Sequence, residues 1–226
     1  MEAVQNAKPY YEKALEIDPQ NYDAHLLKGQ MHLWYEWDFE AAEREIQIGK
    51  QLNPGLRSLW LLESTGRFGE LLKSAEQTLE IDPLSPYAWS FKILGLYHTG
   101  QQEQAIKTID ESKKLYDIII DVSGLYVLTM SYVEVYTLLG MYNEVIEIIE
   151  PLLNESTLPE VKSSLAISYF HIGLANRSNE LINEIKNSHF NLGASPSYHL
   201  AQVYAQMGDI ESAFESLETA YSNHEV

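Results

Sequence analysis

The sequence predicts an all-α chain, a solenoid of antiparallel helix pairs stacked in chain order. Two observations carry this. A helix-end segment recurs as Tyr11-Glu-Lys-Ala-Leu-Glu-Ile-Asp-Pro19, Ile46-Gln-Ile-Gly-Lys-Gln-Leu-Asn-Pro54 and Ala75-Glu-Gln-Thr-Leu-Glu-Ile-Asp-Pro83. In each, an amphipathic helix runs into a proline that cannot continue it. A glycine also recurs at Gly66, Gly100, Gly140, Gly173 and Gly208, in steps of 34, 40, 33 and 35 residues. Five residues after each stands a small or aliphatic residue: Leu71, Ala105, Val145, Ser178 and Ala213. Glycine tolerates the left-handed conformation that ends one helix and opens a tight turn. The residue five positions on then lets the second helix lie close against the first. Units of this length cannot bury their apolar faces alone and must stack on neighbours.

Each element follows from that grammar. An opening helix over 3–17 ends at Pro19 and has the features of a second helix, Ala7, Tyr11 and Ala14, without a first. Six pairs follow at about 21–52, 56–81, 86–115, 122–153, 159–187 and 196–222. In the first pair the turn is expected at Glu36, where the glycine is missing. In the second, the distance from Pro54 to Gly66 leaves room only for a short first helix, Leu56 to Ser64. In the fourth, the 40-residue step implies a lengthened first helix over 122–139. The longest loop is expected from Asn187 to Pro196, and no linker divides the chain, so a single domain over 1–226 is expected.

A step near 34 with paired helices resembles the tetratricopeptide repeat, and the resemblance covers nearly the whole chain. It implies a right-handed superhelix with first helices on the concave side and second helices on the convex side. Two segments are similar to the repeat arrays at the C-termini of bacterial multi-domain regulators, including transcriptional regulators and adenylate cyclases. They are Met31-His-Leu-Trp-Tyr-Glu-Trp-Asp-Phe-Glu-Ala-Ala-Glu-Arg-Glu45 and Ser195-Pro-Ser-Tyr-His-Leu-Ala-Gln-Val-Tyr-Ala-Gln-Met-Gly-Asp209, continuing to Leu217-Glu-Thr-Ala-Tyr221. The resemblance implies a scaffold or sensing surface for signalling, attached to an effector module. The unpartnered opening helix and a last helix followed by only five residues fit a fragment of a longer protein. The alternative is a small complete protein whose incomplete terminal repeats self-associate.

Composition narrows the function classes. The 226 residues carry 15 basic and 33 acidic side chains, a formal charge of −18, and 45% apolar residues. Nucleic acid is excluded as a partner of this segment, because phosphate binding needs a basic stripe. Split after Lys113, the two halves carry −7 and −11, so the charge is spread through the array. The absence of cysteine removes disulfide scaffolds, thiolate metal sites and thiol catalysis, but it does not set the compartment. The N-terminus lacks the basic and apolar regions of a signal peptide. The apolar stretch from Ile118 to Leu139 contains Asp121 and Glu134, which are costly at mid-membrane. A cytoplasmic protein without a membrane partner is therefore expected, with an extracytoplasmic sensor as the alternative placement.

Chemistry motifs are sparse. His25, His32 and Glu36 share a helical face, yet seven residues of helix put the two histidines roughly 10 Å apart, too far for one zinc ion. His25 stands where the repeat usually carries its first aromatic, so packing is its expected role. His98, His171, His189, His199 and His224 form no ligand spacing. Asn154-Glu-Ser156 and Asn176-Arg-Ser178 match a glycosylation sequon that chance also produces. No nucleophile elbow or phosphate-cradling glycine loop occurs. The expectation is a non-enzyme without cofactor or metal.

The resemblance places a partner in the groove lined by the first helices. Two residues before each turn stand Trp34, Ser64, His98, Leu138, His171 and Gln206, and one earlier Leu33, Glu63, Tyr97, Thr137, Phe170 and Ala205. Toward the helix starts the same face should carry Leu26, Gln30, Tyr87, Leu94, Met130, Glu134, Ile167, Tyr198 and Gln202. This inventory is aromatic, amide and imidazole with little positive charge, unlike the basic clamp by which some family members hold a peptide carboxylate. A peptide or protein held by apolar pockets and amide hydrogen bonds fits it. The other function considered is sensing of a small molecule in a pocket near Trp34, Tyr97 or Phe170. With His98 and His171 at equivalent positions, affinity would change as they charge between about pH 5 and 8 if both face the groove.

Overall fold

The computed structural model describes residues 2–53, 59–116, 125–153, 157–188 and 195–223, residues 2–6 as backbone only. Among these residues every regular element is helical. Internal contacts divide the chain into two compact units, 1–106 and 107–226. The expected helix starts at 56–58 and 122–124, the sequon at 154–156, most of the 187–196 loop, His189 and His224 lie outside the described residues.

The first unit contains α1 (Glu2–Ile17), α2 (Tyr22–Met31), α3 (Phe39–Leu52), α4 (Leu59–Ser64), α5 (Phe68–Ile81), α6 (Pro86–His98) and the start of α7 (Gln102–Tyr116). Helices begin where a short polar side chain can take over an orphan backbone N–H. Asn21, Asp38 and Ser85 accept from the amides of Ala24, Ala41 and Ala88 at 2.9, 2.8 and 3.3 Å. The apolar faces then meet in adjacent pairs, α2 with α3, α4 with α5 and α5 with α6. Leu33, Ala42, Ile46 and Leu61 form one buried cluster, and Tyr11, Ala24 and Met31 another. At two places backbone must approach closely. A Cβ on Gly29 would stand 2.8 Å from Ile46 Cγ1, and one on Gly95 would stand 2.9 to 3.1 Å from Cβ, Cα and N of Leu72.

The second unit contains the rest of α7, then α8 (Leu125–Leu138), α9 (Tyr142–Ile149) with a 3-10 turn at Glu150–Leu152, α10 (Pro159–His171), α11 (Ala175–Lys186), α12 (Pro196–Met207) and α13 (Ile210–Asn223). The pairs α8/α9, α10/α11 and α12/α13 pack internally, and α9 and α11 pack on the first helix of the next pair. The first helices also touch one another, α10 standing between α8 and α12. Surrounded in this way, α10 buries even Lys162, whose Nζ reaches Glu184 Oε2 at 2.8 Å. Among the described residues, no buried side-chain nitrogen or oxygen lacks a hydrogen-bond partner.

The five recurring glycines all adopt positive φ, from 68° to 85°. At Gly100 the closing bonds are Gly100 N–H to the Tyr97 carbonyl (3.0 Å) and Gln101 N–H to the Leu96 carbonyl (2.9 Å), the paired bonds of a Schellman helix stop. The residues five positions on, Leu71, Ala105, Val145, Ser178 and Ala213, are all buried. The first pair differs. α2 continues into a π-helical turn, His32–Glu36, and the left-handed residue is Trp37 at φ 52°. The turn expected at Glu36 therefore moves to Trp37, because a π turn takes up one extra residue. The Asp38 N–H accordingly closes on the His32 carbonyl, six residues back, where Gln101 closes five back. Counting five from Trp37 gives Ala42, which is fully buried.

Candidate functional site

In the second unit, three first helices with helical repeats of three and four residues bring their open faces around one cleft of about 470 Å³. α8 supplies Met130, Val133, Glu134, Thr137 and Leu138; α10 supplies Glu160, Ser163, Ser164 and Ile167; α12 supplies Tyr198, His199, Gln202, Ala205 and Gln206. Ile167 lies at the floor, 5% exposed, while Glu134, Tyr198 and Gln202 are exposed on the walls. The Tyr126 hydroxyl donates to Glu160 Oε2 at 3.0 Å and orients that carboxylate. Burial first, then the charge and hydrogen bond of Glu160, hold the Tyr126 phenol well above its ordinary value, so it remains a donor. His199 Nδ1 stands 3.0 Å from Gln202 Oε1. The walls offer thioether and aliphatic surface, amides, hydroxyls and two carboxylates.

Of the residues expected in the groove, Met130, Glu134, Ile167, Tyr198 and Gln202 come together here, with Thr137, Leu138, Ala205 and Gln206 from the two columns. Phe170 and His171 do not line it. Instead His171 stacks on Tyr142 of the preceding second helix, centroids 4.4 Å apart and planes 3° apart, with Phe170 edge-on at 5.3 Å. Glu160, Ser163 and Ser164 escaped the sequence reading. They precede Ile167 by seven, four and three residues, so extending the helical period back from Ile167 would have found them.

In the first unit the same helix positions fill with aromatic packing. Trp34 meets Trp60 edge-on at 6.2 Å, and Trp60 meets Tyr87 at 6.2 Å and Phe91 at 4.9 Å. Trp60 and Phe91 were not among the expected site residues, although both stand on first helices. His98 stacks on Phe68 at 3.9 Å, with Tyr97 edge-on at 5.1 Å. This repeats the His171–Tyr142 contact: each histidine caps the joint between a first helix and the preceding second helix. The condition for a histidine-driven groove, both rings facing a ligand, is therefore not met at the cleft. Leu26 packs half-buried on the Leu33 cluster, and Gln30 is half-buried. Leu33 and Leu94, expected in the groove, are core residues at 3% and 4% exposure. A first helix is covered by its own second helix and the preceding one, which leaves a narrower open strip than the sequence pattern suggested.

His25 packs as expected for an aromatic position, and it also carries polar contacts. Its Nδ1 lies 2.7 Å from Glu45 Oε2 and its Nε2 3.1 Å from the Pro19 carbonyl oxygen, while Lys28 Nζ reaches Glu45 Oε1 at 2.5 Å. Burial alone would raise the Glu45 carboxyl, but the hydrogen bonds and charges of Lys28 and His25 outweigh it and hold the group below its usual value. The His32 and Glu36 side chains pair with each other at 2.5 Å. The Ser178 hydroxyl of the second sequon is buried and donates to the Ala166 carbonyl at 2.8 Å. Among the described residues, no group of three or more metal-ligating side chains converges, and no helix is long and apolar enough to cross a membrane.

A family model for the tetratricopeptide repeat matches residues 1–21 and 194–223. The matched residues hold α1 with its proline stop and the α12–α13 pair. No curated protein matches the chain. Helices packing in adjacent pairs, with left-handed glycine turns, make this a tetratricopeptide-like helical repeat, a fold that generally mediates protein–protein interaction.

Proposed function

We propose that the chain is a non-catalytic interaction module that holds a peptide segment of a partner protein on the open faces of α8, α10 and α12. The observation that carries this reading is the cleft itself, with aliphatic, amide and hydroxyl groups contributed by three successive first helices. Apolar pockets set the register of a bound segment, and amides satisfy its backbone. A regulatory setting, as an array attached to a bacterial signalling protein in the cytoplasm, rests on the resemblance of the Trp34 and Ser195 segments. The same resemblance supports one continuous array over 1–226.

The test is affinity capture with the full chain, comparing wild type with Tyr198→Arg and Ile167→Arg. Loss of captured partners in both variants, with unchanged circular dichroism, supports the reading. Capture that survives both removes the cleft from it. A second reading has one observation in its favour: about 470 Å³ also suits a metabolite. A small molecule that raises the melting temperature of wild type and not of Ile167→Arg would support it.

We further propose self-association through the exposed apolar face of α13. Counting from the turn glycine, Ile210, Phe214 and Leu217 on α13 correspond to Phe68, Leu72 and Ala75 on α5. On α5 these positions carry the next first helix, Phe68 under His98 and Leu72 under Gly95. On α13 the three, with Tyr221, are 42% to 69% exposed. Light scattering over a concentration series tests it against Phe214→Glu.

A further inference from the structure

The inference deepens the peptide-site reading above and rests on it. The charge of the cleft walls is one-sided. α8 brings Glu134 and α10 brings Glu160 to the cleft, and among the described residues no lysine or arginine lines it. Five of the six cations of the second unit have partners outside the cleft, and the sixth, Lys114, does not line it. Lys162 is paired with Glu184 on α11, Arg177 with Glu150, and Lys107 with Glu111. Lys113 lies over the Tyr132 and Tyr136 rings, and Lys186 over the Tyr204 ring. Residues 107–226 hold 17 acidic and 6 basic side chains, so the field of the whole unit adds to that of the two carboxylates. The same cleft carries apolar surface from Met130, Leu138 and Ile167. The Tyr126 hydrogen bond fixes the direction of the Glu160 carboxylate before anything binds, which lowers the ordering cost of a new ion pair.

We propose that the cleft takes a basic peptide segment, in which a lysine or arginine side chain reaches Glu134 and Glu160 while a neighbouring aliphatic side chain rests on Met130, Leu138 and Ile167. Gln202 and Gln206 of α12 also line the cleft, where their amides can meet the peptide backbone. Arginine is preferred to lysine, because its planar fork matches a carboxylate in two parallel bonds. An acidic or phosphorylated segment brings like charge against both carboxylates and is rejected.

The test is fluorescence anisotropy of the full chain with three labelled peptide pools. All share a fixed central leucine, and the flanking positions are fixed as arginine, glutamine or glutamate. The arginine pool is expected to bind about tenfold more tightly than the glutamine pool, the gap narrowing as salt is raised. The glutamate pool should bind most weakly. Glu134→Gln and Glu160→Gln are each expected to weaken the arginine pool about threefold to tenfold and so to narrow its advantage over the glutamine pool. If the glutamine or glutamate pool binds as tightly as the arginine pool, the basic-segment inference falls and the peptide site stands. If no pool binds, the peptide-site reading falls with it.

Discussion

Gly95→Ala places a methyl group in the joint between α5 and α6. The ideal Cβ stands 2.9 Å from Leu72 Cβ, 3.0 Å from its Cα and 3.1 Å from its N. Carbon atoms rest at about 3.5–4.0 Å, so the two helices must part by roughly 0.7 Å. The obstructing atoms are backbone and Cβ, which no rotamer change can move. A gap of that size forfeits about a quarter to a half of each dispersion contact across the joint, and overpacking of this kind costs about 1–3 kcal/mol. Alanine in a helix returns about 1 kcal/mol relative to glycine, leaving a net loss of about 0–2 kcal/mol. At roughly 2–4 °C per kcal/mol, the melting temperature should fall by up to about 8 °C. The control is Gly69→Ala in α5, where the new Cβ meets nothing within 4 Å and helix propensity acts alone. Thermal unfolding followed by circular dichroism should show Gly69→Ala equal to or above wild type and Gly95→Ala clearly below Gly69→Ala. A Gly95→Ala protein as stable as Gly69→Ala would refute the close approach of α5 and α6.

Gly100→Ala isolates the backbone cost of the turn: φ is 83° and nothing lies within 4 Å of the added methyl, so about 1–2 kcal/mol should be lost in urea unfolding. Glu45→Gln leaves Lys28 and His25 without their carboxylate and should cost about 1–3 kcal/mol at neutral pH. Because the folded Glu45 carboxyl lies below its unfolded value, its contribution is present above about pH 4.3 and is lost as pH falls through the folded value. Melting curves of wild type and Glu45→Gln should therefore converge in acid. Tyr169→Phe removes the hydroxyl that donates to Glu150 Oε1 at 2.9 Å, a phenol pushed up to about 12 by burial and then by that bond. The variant should lose about 0.5–1.5 kcal/mol, read by urea titration. Phe214→Glu should leave stability within about 0.5 kcal/mol and abolish any concentration dependence of the scattering mass.

The helix pairs were legible because their punctuation is chemical. The recurring glycines are where the left-handed turns fall, and Leu71, Ala105, Val145, Ser178 and Ala213 are buried where the second helix crosses the first. The turn of the first pair falls one residue later than expected because nothing local distinguishes a π turn closed by a left-handed Trp37 from an α-helix closed at Glu36. The helix-face pattern brings Met130, Glu134, Tyr198 and Gln202 to one cleft, where a single face decides exposure. It failed where three neighbours compete for the same helix. Leu33 and Leu94 are claimed by the core, and His98 and His171 by the aromatic rings of Phe68 and Tyr142. Those rings sit about thirty residues earlier in the chain, a pairing that periodicity within a single helix does not express.

The central claim is that a partner segment lies on α8, α10 and α12. It is tested most directly by photo-crosslinking the full chain with a benzophenone-bearing peptide from the arginine pool and mapping the modified residues by mass spectrometry. The account predicts modification at Met130, Ile167, Tyr198 and Gln202, abolished by excess unlabelled peptide. Crosslinks confined to the second helices α9, α11 and α13 would contradict it.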